Sequence, residues 1–164
     1  MERPVRKHIR IQNYDYNNPG YYFITICTHN KSKILCDIVG TGLPDGPHIT
    51  MFEYGEIVKK QLDIMSRFYE DMILEKYIIM PNHLHLLLHI TGQFEPSLQH
   101  SPANAKVSKF VGTLKRFTNR KIGRNIWQSR SHDHVIHGEM DYQKIWMYIE
   151  TNPLRWEKDC FYCS

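Results

Sequence analysis

The sequence predicts an α+β fold: a ferredoxin-like antiparallel sheet with helices packed on one face, followed by an extra C-terminal helix. Three observations predict it. Apolar residues alternate between the period of a strand and that of a helix, in the order strand, helix, strand, strand, helix, strand, helix. The two middle strands are joined by a short Pro-Asn turn and pair as a hairpin. Strands and helices in this order suit one antiparallel sheet with helices on one side of it.

The elements follow in order. "NPGYYFITICTHN", residues 18–30, opens at a turn signal and becomes a β-branched and aromatic run, which is a strand. Gly and Pro make residues 40–48, "GTGLPDGPH", a loop. Ile57, Leu62, Ile64, Met65 and Phe68 recur at helical spacing, so residues 56–69 form an amphipathic helix. "MILEKYIIM" is a second strand, Pro81-Asn82 turns the chain, and "HLHLLLHI" returns beside it. "GQFEPSLQHSPANAK" is a polar loop. In residues 107–123, Val107, Phe110, Val111, Leu114 and Phe117 form an apolar stripe, with Lys109, Lys115, Arg116, Arg120 and Lys121 on other faces of the same helix. "HDHVIHGEM" holds a short strand. The last helix has Asp141 at its start and Pro153 at its end.

Length and composition set outer bounds. A chain of 164 residues, 41% hydrophobic and 23% charged, suits one globular domain over 1–164, with a basic arm over about 1–17. No apolar run is long enough to span a bilayer, so no membrane partner is expected. The basic N-terminus has no apolar segment behind it, which predicts a cytoplasmic protein with reduced thiols. "CFYC" has C-x-x-C spacing, but it lies outside a βαβ pattern and has no second pair, so ordinary thiols are the simpler reading. A net charge of +4 hints at a polyanionic partner.

The chemistry concentrates in "MPNHLHLLLHI", residues 80–90. With the period of a strand, His83, His85, Leu87 and His89 share one face, and Leu84, Leu86, Leu88 and Ile90 share the other. The aliphatic face is core; the histidine face is one that a sheet presents to a ligand. His83 and His85 lie roughly 6–7 Å apart at the backbone, a spacing that lets two imidazoles converge on one metal ion. Two satisfied histidines on a half-exposed strand would have the same spacing. The Met-Pro-Asn turn and the strict alternation weigh toward metal. His89 lies about 13 Å beyond His85, too far for a third ligand and suited to solvent or phosphate. On the last helix, Tyr148 and Asn152 are one turn apart and share a face, a phenol beside a carbonyl oxygen. Each alone fits packing or helix capping.

Taken in order, "MPNHLHLLL", "GTLKRFTNRKIGRNIWQSR" and "YIETNP" resemble the single-tyrosine HUH transposases. The nearest branch is that of the REP-associated tyrosine transposases, which pairs a proline-x-His-hydrophobe-His strand with a C-terminal Tyr-Ile-x-x-Asn-Pro helix. The resemblance runs from Gly20 to Arg155. It implies a ferredoxin-like fold whose C-terminal helix carries a nucleophilic tyrosine, here Tyr148. It implies a divalent ion, Mg²⁺ or Mn²⁺, held by His83, His85 and Asn152. The implied partner is single-stranded DNA with hairpin structure, and the implied activity is DNA transposition and recombination through a 5′-phosphotyrosine intermediate. Lys115, Arg116, Arg120, Lys121 and Arg124 would contact DNA phosphates. Tyr21, Tyr22 or Trp127 could stack on bases, with core packing the simpler reading for Tyr21 and Tyr22. A monomer or a homodimer fits equally. After "WQSR" the chain has Ser131 and His132 where the family often has aromatics, and "LRWEKD" follows "NP" where a small residue and glycine are common. The chief alternative is a domesticated hairpin-DNA-binding protein without cleavage. A structural metal domain and a relaxase-type nuclease are the others.

Overall fold

The computed structural model describes residues 18–40, 46–92 and 105–162. The basic arm, residues 41–45 of the loop expected at 40–48, residues 93–104 of the polar loop, and residues 163–164 lie outside them. Four strands form the main sheet: β1 (Gly20–Cys27), β4 (Met72–Met80), β5 (His83–Ile90) and β6 (His132–Val135). Their order across the sheet is β4-β5-β1-β6, and every neighbouring pair is antiparallel. Helix α1 (Glu53–Phe68) crosses from β1 to β4, and α2 (Lys106–Ile122) crosses from β5 to β6. Each crossover skips one strand, so the two β-α-β units interlock as in a ferredoxin-like sandwich.

The aliphatic side of β5 behaves as its alternation predicts. Leu84, Leu86, Leu88 and Ile90 are fully buried with Tyr22, Ile24 and Ile26 of β1 against Val58 and Leu62 of α1 and Phe110 and Leu114 of α2. Helix α2 ends where Gly123, at φ +82°, donates its backbone N–H to the Asn119 carbonyl, a left-handed stop that glycine adopts without strain.

Two differences from the sequence expectation bear on function. The segment read as a loop at 40–48 is flanked by a separate small hairpin, β2 (Cys36–Val39) with β3 (His48–Met51), and α1 starts at Glu53 rather than residue 56. These strands are four residues each, too short for an alternating pattern to stand out. The Phe52 N–H donates to the Leu35 carbonyl at 2.9 Å and fixes the helix entry; a Cβ on Gly55 would meet that same carbonyl. The second difference is that the histidine face of the sheet is not open. Helix α3 (Gly138–Thr151) and a 3₁₀ turn (Pro153–Lys158) are laid across it, burying Leu87, Ile136 and Ile149 together and Met80 with Trp156. The sheet therefore carries helices on both faces. No helix among the described residues is long and apolar enough to cross a membrane.

Since Leu86 is fully buried, Leu86→Ala is expected to cost about 2–5 kcal/mol. Phe117, at 39% exposure, lies at the edge of the apolar stripe of α2, and Phe117→Ala is expected to cost much less. Urea unfolding of both variants checks the burial pattern. Equal losses would contradict it.

Candidate active site

The site is built on the end of β5 that follows the Pro-Asn turn. His83 and His85 are 0% and 1% exposed, beneath α3 and the residues after it. The Asn82 amide donates through Nδ2 to the carbonyls of Phe161 (2.8 Å) and Lys31 (3.3 Å), which turns its oxygen toward His83. That oxygen lies 2.8 Å from His83 Nδ1, and because an amide oxygen only accepts, Nδ1 carries the proton. His83 Nε2 is then a bare lone pair. It faces His85 Nε2 at 3.0 Å, and His85 Nδ1 is 2.8 Å from the Thr25 hydroxyl across the sheet. Burial pushes the His83 pKa down to about 3, with the nearby Lys31 charge adding to the effect. Burial, and then His83, hold His85 well below the ordinary imidazole value, with the Asp159 charge opposing. Both rings are neutral at pH 7, the form that ligates a metal.

Helix α3 brings the expected phenol to this pair. The Tyr148 ring lies edge-on to His85 at 5.2 Å and to Phe23 at 5.9 Å, and 38% of the residue is exposed. Asn152, one turn on, is buried; its Nδ2 donates to Asp159 Oδ2 at 2.9 Å, and its Oδ1 has no hydrogen-bond partner among the described residues. An unpaired buried amide oxygen is an unmet demand for a cation or a donor.

Asp159 is the member that sequence reasoning missed. One ligand atom from each of His83, His85 and Asp159 lies within 4.8 Å of the others. Tyr148 also donates its hydroxyl to Asp159 Oδ2 at 3.3 Å, while Asp159 Oδ1 accepts from the Phe161 N–H at 2.7 Å. Burial, then the Asp159 charge, raise the Tyr148 pKa above the usual phenol range. The Phe161 ring covers His83 at 4.6 Å, and the Lys31 ammonium lies 5.6 Å from that ring. The only signal for Asp159 in the sequence was the departure after "NP". Two imidazole nitrogens and a carboxylate oxygen are a donor set that could hold a metal ion.

The other expected residues are not brought here. Helix α2, which carries Lys115, Arg116, Arg120 and Lys121, packs its apolar stripe on the aliphatic face of the sheet, and Arg124 follows it. Lys115 donates to the carbonyl of Gln128 at 2.8 Å, and the Arg124 guanidinium lies 5.3 Å from the Tyr54 ring. Arg116, Arg120, Lys121 and Arg124 are exposed. Trp127 is not available as a stacking platform: it is 1% exposed and donates its indole N–H to Thr118 Oγ1 at 2.8 Å. Tyr22 is core. Tyr21 stacks on His89 at 4.1 Å, and His89 lies 3.3 Å from the Glu75 carboxylate, so His89 is engaged within the protein. The thiols of Cys27 and Cys36 are buried, which pushes them up to about 11 and about 12, as ordinary protonated cysteines.

No family model matches the chain. An uncharacterized protein of Haemophilus influenzae (strain ATCC 51907 / DSM 11121 / KW20 / Rd) is 27% identical over 96% of this chain and 93% of its own length. The solved structure of a REP-associated tyrosine transposase bound to a REP hairpin superposes with a TM-score of 0.62 at 18% identity, covering 90% of this chain and 73% of that one. A crystal structure from Deinococcus radiodurans R1, described as a putative transposase, aligns more loosely, at TM-score 0.49 and 19% identity over 87% of this chain and 95% of its own. The fold of this chain is the fold of the REP-associated tyrosine transposase.

The buried imidazoles make metal-free stability depend on pH. His83 refuses a proton in the folded state until about pH 3, whereas in the unfolded chain it takes one up near 6.5. Its cost to folding is therefore absent above pH 6.5 and grows as pH falls toward 3. In chelator, the urea midpoint is expected to drop between pH 7 and pH 5, and the drop is expected to shrink in His83→Gln. A midpoint equal at both pH values would contradict a neutral, buried pair.

Proposed function

We propose that the chain is a metal-dependent single-stranded DNA endonuclease and strand transferase, a transposase in which Tyr148 becomes joined to DNA as a 5′-phosphotyrosine at hairpin-flanked sites. One observation carries the reading: a phenol, an amide and a carboxylate meet above two neutral imidazoles whose Nε2 atoms face each other at 3.0 Å. The fold shared with a transposase solved on a REP hairpin supports it, as does the linked set of sequence motifs.

In this reading His83, His85 and Asn152 hold the metal, with Asp159 beside them. Mg²⁺ or Mn²⁺ held there would supply positive charge to the scissile phosphate. Tyr148 keeps its proton at neutral pH, since its pKa is raised, so the proton must leave as the oxygen attacks. Asp159 accepts the phenolic hydrogen bond and is the group placed to take it. The Tyr148 oxygen bonds to phosphorus, the bond from phosphorus to the 3′-oxygen breaks, and that oxygen leaves as a 3′-hydroxyl after protonation. The phosphotyrosine keeps the phosphodiester energy, so a second 3′-hydroxyl can reverse the step and join strands.

The DNA path has two parts here. The cut strand lies at Tyr148. Arg116, Arg120, Lys121 and Arg124 contact backbone phosphates of the folded-back hairpin. Lys115, tied to the Gln128 carbonyl, contributes less.

Labelled hairpin oligonucleotides incubated with protein and Mn²⁺ test the chemistry. Tyr148→Phe is expected to abolish the covalent adduct while hairpin affinity changes little, because most binding comes from phosphate contacts. Tyr142→Phe and Tyr162→Phe are expected to leave the adduct intact. An adduct that survives Tyr148→Phe overturns the assignment, and hairpin binding by a wild type that forms no adduct supports the domesticated binder instead.

Affinity across a salt series tests the basic helix. Arg116→Ala and Arg120→Ala are each expected to reduce the slope of log K against log salt by about 0.7–0.9, without changing preference among hairpins. Unchanged slopes in both would place the DNA elsewhere.

A further inference from the structure

Beyond the ligands, the histidine pair has two buried partners that decide where its protons sit. The four groups form one line: Thr25 Oγ1 to His85 Nδ1 at 2.8 Å, His85 Nε2 to His83 Nε2 at 3.0 Å, and His83 Nδ1 to Asn82 Oδ1 at 2.8 Å. All four residues are buried, Thr25 at 4% exposure and the others at 1% or less. A contact of 3.0 Å between two neutral ring nitrogens requires one proton between them. Asn82 settles which ring supplies it. Its amide is fixed by two carbonyls, so His83 holds its proton on Nδ1 and offers only a lone pair at Nε2. His85 must therefore donate from Nε2, and its Nδ1 must accept from the Thr25 hydroxyl.

That arrangement cannot hold a metal. A cation between the rings needs both Nε2 atoms bare. His83 already meets this condition; His85 meets it only with its proton on Nδ1. We infer that Thr25 and Asn82 are positioning residues for the metal: Asn82 locks His83 in the ligating tautomer, and the Thr25 hydroxyl is a two-way partner that lets His85 change tautomer. Without metal, Thr25 donates to His85 Nδ1. With metal, the His85 proton is on Nδ1 and Thr25 accepts it. The Nε2 proton passes to water as the metal enters and Nδ1 takes one proton from water, so the ring stays neutral and Thr25 keeps its own hydrogen. A hydroxyl can play both parts because it rotates and carries both a donor and lone pairs. A carbonyl at the same place would hold only one state. Outer partners of this kind commonly change metal affinity by about 10- to 100-fold when removed.

The inference rests on the metal site of the function proposed above and not on its DNA chemistry. Two measurements on the full chain, both without DNA, test it. The first is nitrogen NMR of the histidine rings. Metal-free protein is expected to show His83 protonated on Nδ1 and His85 on Nε2, and protein loaded with diamagnetic Zn²⁺ to show both on Nδ1. The second is calorimetric binding of Mn²⁺. Thr25→Val, which keeps the shape and removes the hydroxyl, is expected to weaken binding at least about tenfold, and Thr25→Ser to restore it to within about threefold of wild type. If Thr25→Val unfolds in chelator, the tautomer change in wild type and the Thr25→Ser affinity decide. Metal-free His85 already protonated on Nδ1, a folded Thr25→Val that binds like wild type, or a wild type that takes up neither metal would each overturn the inference. A missing Tyr148 adduct beside an intact tautomer change would sink the function and leave this inference standing.

Discussion

The rest of the site depends on a sheet that is buried on both faces. Once α3 and the turn after it lie across β5, water no longer satisfies His83 and His85, and every polar atom there must find a partner inside the protein. That requirement accounts for the neutral imidazoles, for Asn82 with three hydrogen-bonding contacts of its own, and for Thr25 at the centre of a strand otherwise made of core residues. It also makes the unpartnered Asn152 oxygen informative, since in a solvated site such an atom would mean nothing. The same enclosure raises the Tyr148 phenol, so phenol and imidazoles are shifted in opposite senses by one cause: burial disfavours whichever form is charged.

Topology explains why this enclosure is reached from the C-terminus. The two interlocked β-α-β units put α1 and α2 on one side of the sheet. The other side is left for whatever follows β6, and α3 is the next element. Tyr148 and Asn152 are one helical turn apart, so one docked helix delivers both. Pro153 stops the helix, and the short turn that follows swings Asp159 and Phe161 back over the histidines.

Much of this was legible in the sequence. Strict alternation over residues 83–90 announced both faces of β5, and the Pro-Asn turn announced its pairing with β4. Helical spacing put Tyr148 and Asn152 on one face. What escaped has physical reasons. Asp159 lies in a turn after Pro153, where no periodicity says which way a side chain points. The β2 and β3 strands are too short to alternate visibly. Basic residues on an amphipathic helix reveal which face is solvated, not which side of the sheet that face looks away from. Trp127 next to a basic segment resembled a stacking platform, and only its bond to Thr118 shows it as a brace that ties the end of α2 to the loop beside β1.

The central claim is that the buried imidazole pair is a metal centre serving Tyr148. Pulsed EPR on protein loaded with one equivalent of Mn²⁺ tests it most directly, because the spectrum reports nitrogen bound to the ion. Wild type is predicted to show coupling to two imidazole nitrogens, and His83→Ala and His85→Ala to show one or none. A spectrum without nitrogen coupling, or one that survives both substitutions, would contradict the account.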